Sequence, residues 1–359
     1  MRGLRNDKGA MGVLVGILVG AGVLFGMGAI VIDVGQLYQE RAELQNGADA
    51  GAIAVARGCA SGGTTCLPGK ANAYANANAK DGKSNVDKVC GNDGNGVLSA
   101  CPASSGKMTD CPAAPASGTK YVDVHTSTQT SDGKTLLPGS FARALAGNDS
   151  YDGTKVGACA RAAWGAPKTA NTIAMTISMC EWAEATSSGT HYAPTPPATP
   201  DKSYDRVLKL HTTGGTSCPT GPAGSDGPGM FGWVDDDNTD CSVLINNNTY
   251  SADTGASAGK DCKTALENAW TNRTTVFVPI YTTVTETGTN GTYTLKGFAG
   301  FVITGYHLPG ISKSDWLNPA KDCKGSDKCV NGYFVQALMP TSGTIGGPDL
   351  GLRIVQLTG

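Results

Sequence analysis

Charge is scarce in this chain. Asp, Glu, Lys and Arg make up 16% of its 359 residues and sum to a net charge of −2, against roughly a quarter charged in an ordinary soluble domain. No block of Lys and Arg occurs anywhere, and that excludes nucleic acid as a partner class, because phosphate binding needs a basic face. Aromatic residues are few, at 6%. The histidines, His125, His191, His211 and His307, are scattered, and none stands in a His-Glu-x-x-His spacing. No phosphate-binding Gly-x-x-x-x-Gly-Lys-Ser/Thr loop occurs. Ser104-Ser105-Gly106-Lys107 has the Ser-x-x-Lys spacing, but it lies in a Cys- and Pro-rich stretch without companion motifs and reads as coincidence. No catalytic residue is assigned, and the chain is read as structural, not enzymatic.

Cysteine is what the chain has in quantity: Cys59, Cys66, Cys90, Cys101, Cys111, Cys159, Cys180, Cys218, Cys241, Cys262, Cys323 and Cys329. The number is even, all lie beyond residue 58, and no Cys-x-x-Cys pair occurs, so zinc ribbons, thioredoxin motifs and iron–sulfur ligation lack their spacing. Cystines formed outside a reducing cytosol fit better. The pairing stays open, with the short loops Cys59–Cys66 and Cys323–Cys329 as candidates. Glycine, at 50 residues, with abundant Thr, Ser and Asn, suits a loop-rich β exterior.

The amino terminus carries Arg2, Arg5 and Lys8 against Asp7, and from Gly9 to Ile32 no charged residue appears. As a helix those residues span roughly 36 Å, enough for a hydrocarbon core with some tilt. Beyond the span, Asp33, Glu40, Glu43 and Asp49 stand against Arg41 and Arg57. The basic flank predicts a cytoplasmic amino terminus and an extracytoplasmic remainder, where the cysteines also belong. A cleaved signal peptide is the rival, but its apolar run is normally shorter. A prepilin-type cut after Gly9 is a third reading, against which Leu14 stands where the usual pilin has Glu. Gly12, Gly16 and Gly20, then Gly22 and Gly26, recur four apart, a spacing that lets another membrane helix approach closely. Leu37, Leu44, Ala48 and Val55 recur at helical spacing, so the span is predicted to continue as an amphipathic stalk, capped at Gly58.

The membrane-exit run Val31-Ile32-Asp33-Val34-Gly35-Gln36-Leu37-Tyr38 and the stalk run Leu44-Gln45-Asn46-Gly47-Ala48-Asp49-Ala50, in that order behind Lys8-Gly9-Ala10, resemble the amino-terminal region of TadE/TadG-like proteins of tight-adherence (Flp, type IVb) pilus systems. The motif positions are Asp33, Gly35, Leu37, Tyr38, Leu44, Gln45, Ala48 and Asp49, and the resemblance covers about the first 57 residues. Softer matches to longer actinobacterial members are Ala160–Gly165, Phe231–Asp235, Gly297–Phe301 and Cys329–Phe334. The resemblance implies a single-pass extracytoplasmic component of pilus assembly or surface attachment, with other pilus-assembly subunits as partners through the membrane helix. Some members carry a von Willebrand A-type domain with an Asp-x-Ser-x-Ser metal motif, which this sequence lacks.

Past Cys59 the reading is short elements between Gly, Pro and Ser. A helix is expected over Lys70–Lys80, a loop over Gly91–Thr119, a strand over Tyr121–Thr130, a short helix at Phe141–Ala146 and a strand over Lys155–Trp164. Pro194–Pro200 breaks regular structure. Thr275–Glu286 and Thr292–Tyr306 are the strongest strand signals, joined by Asn290-Gly291 as a hairpin, with Pro279 marking an edge or bulge. Gly332–Met339 and Leu350–Leu357 add strands. The fold class is α+β: one long N-terminal transmembrane and stalk helix, then a mainly β, disulfide-rich extracytoplasmic region with a few short helices. The expected division is 1–58, 59–193 and 194–359. No cofactor is expected. Asp235, Asp237 and Asp240 are the weak candidates for a structural Ca²⁺, with a solvated turn as the plainer reading. Trp164, Trp182, Trp233, Trp270 and Trp316 read as core packing, with a grip on surface glycan or cell wall as the sharper alternative. A stand-alone anchored adhesin or cell-wall-binding protein is the second functional reading.

Overall fold

The computed structural model describes residues 7–61, 65–106, 109–137, 139, 141, 152–210, 218, 230–235, 240–246, 248–253, 260–285, 291–323, 325–340 and 343–358. The chain is α+β, with one long apolar helix followed by a mostly stranded region holding six cystines. Two compact units divide it: Met1–Cys59, Cys66–Ala163 and Leu357–Gly359 form the first, Ala60–Thr65 and Trp164–Gln356 the second.

The first unit is organised by α1 (Asp7–Ala60). Its amino-terminal half is apolar on every side, as a helix surrounded by lipid must be. Its second half turns amphipathic: Leu44, Ala48, Ala52, Val55 and Ala56 are buried at three- and four-residue intervals, which places them on one face. Against that face lies α2 (Lys70–Asn78), which buries Ala71 and Ala75. Three strands complete the unit: β1 (Asn85–Asn92), β2 (Lys120–Ser127) and β3 (Gly157–Gly165), in the order β1-β2-β3. β1 and β2 are antiparallel, with Cys90 opposite Asp123. Inside the unit the Arg161 guanidinium clamps the Asp123 carboxylate through Nε at 2.6 Å and Nη2 at 2.7 Å, and Nη2 also donates to Pro112 O at 2.8 Å. The ion pair is buried on both sides, so its worth lies in geometry and full hydrogen bonding, not in Coulomb attraction alone.

Two details differ from the sequence reading. The helix does not stop at Gly58: it runs to Ala60, because Gly58 stays out of the left-handed conformation that a glycine cap would take. The terminal carbonyl of Ala60 instead accepts from Arg353 Nη1 at 2.7 Å, meeting the need that an unpaired helix end creates. The helix expected at Phe141–Ala146 lies outside the described residues after Phe141.

The second unit contains β4 (Ala170–Ile173), β5 (Met175–Ser178), α3 (Met179–Thr186), β6 (Arg206–Lys209), β7 (Phe231–Val234), β8 (Ser242–Ile245), β9 (Thr249–Asp253), α4 (Lys260–Asn272), β10 (Thr275–Thr285), β11 (Thr292–Leu308), β12 (Ile311–Lys313), β13 (Cys329–Val335), β14 (Ala337–Leu338) and β15 (Leu352–Leu357). The hairpin of β10 and β11 is its frame. β10 pairs with β5, β5 with β7, β7 with β9, β9 with β11, and β11 with β10, so five strands close on themselves. β11 is long enough, at 17 residues, to leave this ring and pair with β13, which β6 extends. Closure removes exposed edges, and the enclosed side chains form the core: Met175, Ile177, Phe231, Ile280, Tyr281, Phe301 and Ile303 are all buried. Pro279 sits inside this ring, and the register breaks immediately after Ile280, so the bulge, not an edge, accommodates it. Thr176 donates to the Pro279 carbonyl at 2.9 Å. Trp164, Trp182 and Trp233 are buried, and Trp270 and Trp316 half-buried. Gly232 and Gly332 are places of close approach: the Tyr293 hydroxyl occupies the space a side chain at 232 would need, and the Phe301 ring does so at 332. Both fall in the segments Phe231–Asp235 and Cys329–Phe334.

Candidate functional site: the anchor and stalk helix

Along its first turns α1 exposes its described apolar side chains. Val13, Leu14, Ile17, Leu18 and Val31 are exposed, and no atom lies within 4 Å of where a Cβ would stand at Gly12, Gly16 or Gly20. Gly22 and Gly26 lie further along the same helix. The helix is long and apolar enough to cross a membrane, and none of its most apolar window is buried in the protein. Large apolar side chains exposed in such a run need lipid or a partner.

At the point where charge returns, Asp33 accepts from the main-chain N–H of Phe141 through both carboxylate oxygens, at 3.1 and 3.0 Å. Gly35 faces open space. Leu37 is half-buried, whereas Tyr38 is 71% exposed, so the two neighbours in the motif do opposite things. One turn on, Gln39 Nε2 donates to Glu43 Oε1 at 3.0 Å, and Glu43 Oε2 accepts from the main-chain N–H of Lys80 at 2.8 Å. Glu40, Glu43 and Asp81 share a cleft beside the helix. Burial pushes the Glu40 carboxyl above its ordinary value, a hydrogen bond from Thr128 pulls the other way, and Glu43 and Asp81 add repulsion.

The stalk motif is a docking seam. Leu44 is buried, and its carbonyl accepts from Thr126 Oγ1 on β2 at 2.9 Å. Gln45 Nε2 bridges Asp49 Oδ1 at 2.9 Å and the Cys159 carbonyl on β3 at 3.1 Å. Ala48 is fully buried. At Gly47 an added Cβ would meet the Ala75 backbone at 3.1 Å, and at Gly51 it would meet Ala71 at 3.4 Å. Two small residues on α1 thus interlock with two small residues on α2, each pair four apart. Gly47, Gly51, Ala71 and Ala75 carry this crossing and were not picked out from the sequence. The signal was there, as the same small-x-x-x-small spacing that marks the membrane segment, repeated at 47/51 and 71/75.

All twelve cysteines are joined: Cys59–Cys66, Cys90–Cys101, Cys111–Cys159, Cys180–Cys218, Cys241–Cys262 and Cys323–Cys329. Both short loops close on themselves, and each cystine lies within one unit. Among the described residues two groups bring metal-ligating side chains together, Cys111 with His125 and Cys159, and Cys90 with Cys101 and Asp123. Each contains a cystine, whose sulfurs are not the thiolates that bind metal. Of the acidic candidates, Asp235 and Asp240 are exposed, and Asp237 lies outside the described residues. The Asp240 carboxylate accepts from the N–H of Ser242 at 3.0 Å and from its hydroxyl at 2.7 Å, and those bonds hold it below the usual carboxylate range.

No curated protein and no solved structure matches the chain. The apolar shaft, the membrane-exit motif and the docking seam together make up residues 9–58, and that segment matches the Flp pilus-assembly TadE/G-like family.

Proposed function

We propose that the chain is a single-pass, membrane-anchored extracytoplasmic component of a Tad-type pilus-assembly or surface-attachment system, acting as structure and not as catalyst. One observation carries the reading: the family-matched segment is a single unbroken helix whose first half exposes its large apolar side chains and whose second half is buried against its own unit. Such a helix transmits position from the bilayer to the stranded region. The first half, with Gly12, Gly16, Gly20, Gly22 and Gly26 four apart in two series, supports docking on another membrane helix of the assembly machinery. The basic flank at Arg2, Arg5 and Lys8 supports a cytoplasmic amino terminus, and the cystines support an oxidising compartment for the rest. Deleting the gene is expected to abolish pilus formation and surface attachment, and a helix-swapped protein, its span replaced by an unrelated apolar helix, is expected not to restore them. Restoration by the swapped protein would favour a stand-alone anchored adhesin, and normal pili in the deletion strain would refute the proposal.

A further inference from the structure

Past the last turn of α4 the chain passes through Arg273 before entering β10. Arg273 takes a left-handed conformation, φ 51, and Thr274 N closes the helix end on the Ala269 carbonyl at 3.2 Å. That position is the usual place for glycine, because a side chain there is strained. The retained side chain holds its guanidinium 4.4 Å from the centroid of the Trp316 ring. No carboxylate or carbonyl among the described residues accepts from it. Trp316 is itself held: its Nε1 donates to the Ile303 carbonyl at 3.3 Å, and its ring meets Tyr333 edge-on at 6.4 Å. The cation is therefore positioned, and its fork of donors is unspent.

It opens on a cavity of about 490 Å³ whose walls include Pro196, Pro197, Thr199, Asn272 and Tyr333, within the ~300–1,000 Å³ range of small-ligand sites. We propose that this cavity binds an acidic saccharide, a sugar ring bearing a carboxylate that pairs with Arg273. A guanidinium fork matches a carboxylate with two parallel hydrogen bonds. The flat faces of Pro196 and Pro197 suit the C–H face of a sugar ring, and the Asn272 amide and Thr199 hydroxyl suit its hydroxyls. A single cation favours a single carboxylate over a polyphosphate, which needs several, and a neutral sugar would leave the guanidinium unpaired. Burial pushes the Tyr333 hydroxyl up to about 12, so it stays a neutral donor. The nearby Asp205 carboxyl is raised to about 8, holds its proton near neutrality and does not oppose an anion. The binding role goes beyond the anchoring role and does not depend on it.

The test is titration of full-length protein in detergent micelles with trigalacturonate, followed by tryptophan fluorescence and calorimetry. Saturable binding is expected, weakened by about tenfold or more in Arg273→Gly, a substitution that relieves the left-handed strain and leaves the thermal midpoint unchanged or raised. Arg273→Asn, which also tolerates that conformation, is expected to weaken binding equally. Binding undiminished in both variants, equal binding of neutral galactotriose, or no binding at millimolar trigalacturonate would each overturn the proposal. A carboxylate-ended peptide that bound in place of the saccharide would overturn it too.

Discussion

Two buried carboxylates in this protein are kept by opposite means. Asp123 is paired: the Arg161 fork takes both its oxygens, and the Arg161 guanidinium lies 4.8 Å from the centroid of the Tyr121 ring. Asp205, fully buried, has no cation on its carboxylate among the described residues. Thr304 donates to Oδ1 at 2.8 Å, Lys321 donates to the main-chain carbonyl at 2.9 Å, and among the described residues none donates to Oδ2. Desolvation, then the neighbouring Asp315, raises its pKa from 3.8 to about 8, because an isolated buried charge costs more than a retained proton. The folded chain thus holds a proton that the unfolded chain releases above about pH 4. The stabilisation is fully present below that value, erodes as pH rises, and is gone above about pH 8. Chemical denaturation at several pH values is expected to show this decline, and Asp205→Asn, which stays neutral throughout, is expected to remove its part of the slope. A slope unchanged by the substitution would mean that Asp205 is ionised in the folded protein.

The elements differ in how far they can be read from sequence, and the reason is the range of the interactions that define them. The anchor and stalk helix was legible because its evidence is local: an uncharged run of sufficient length, then apolar residues at helical spacing. The β10–β11 hairpin was legible for the same reason, through β-branched runs and Asn290-Gly291. The ring that β5, β7 and β9 close was not, because strands of four and five residues carry too little periodicity to be seen and are fixed by partners far along the chain. The cavity at Arg273 was illegible likewise, since Arg273, Trp316 and Pro196 meet only in the fold. The helix crossing between α1 and α2 lies between these cases, with visible spacing but an unseen partner. Its glycines give a sharp contrast. Gly47→Leu or Gly51→Leu would force side chains into the backbone of α2, at a cost of about 1–3 kcal/mol, whereas Gly35→Ala meets nothing within 4 Å. Hydrogen exchange across residues 70–78 should accelerate in the first two variants and stay at the native rate in the third. Equal protection in all three would mean that α2 does not depend on that contact.

For the whole molecule, two independent chemistries favour the proposed arrangement. Lys and Arg before the span favour the cytoplasm, while paired cysteines after it need an oxidising compartment. Either could be satisfied without the other, and the proposed bilayer-crossing helix satisfies both. The large apolar side chains that α1 exposes between Met11 and Val34 belong to a helix long and apolar enough for such a crossing, and where charge returns the Asp33 carboxylate accepts from the Phe141 N–H. Labelling of cells with an intact cytoplasmic membrane tests the arrangement directly. A membrane-impermeant maleimide should leave the native protein untouched, because all twelve cysteines are oxidised, and should label it once an impermeant phosphine has reduced them. In an Asn6→Cys variant the added thiol should stay unlabelled until the membrane is permeabilised, since it lies on the basic side of the span. Reaction of the native cysteines without reductant, or of Cys at position 6 on unbroken cells, would place the chain on the wrong side of the bilayer for an anchored extracytoplasmic protein.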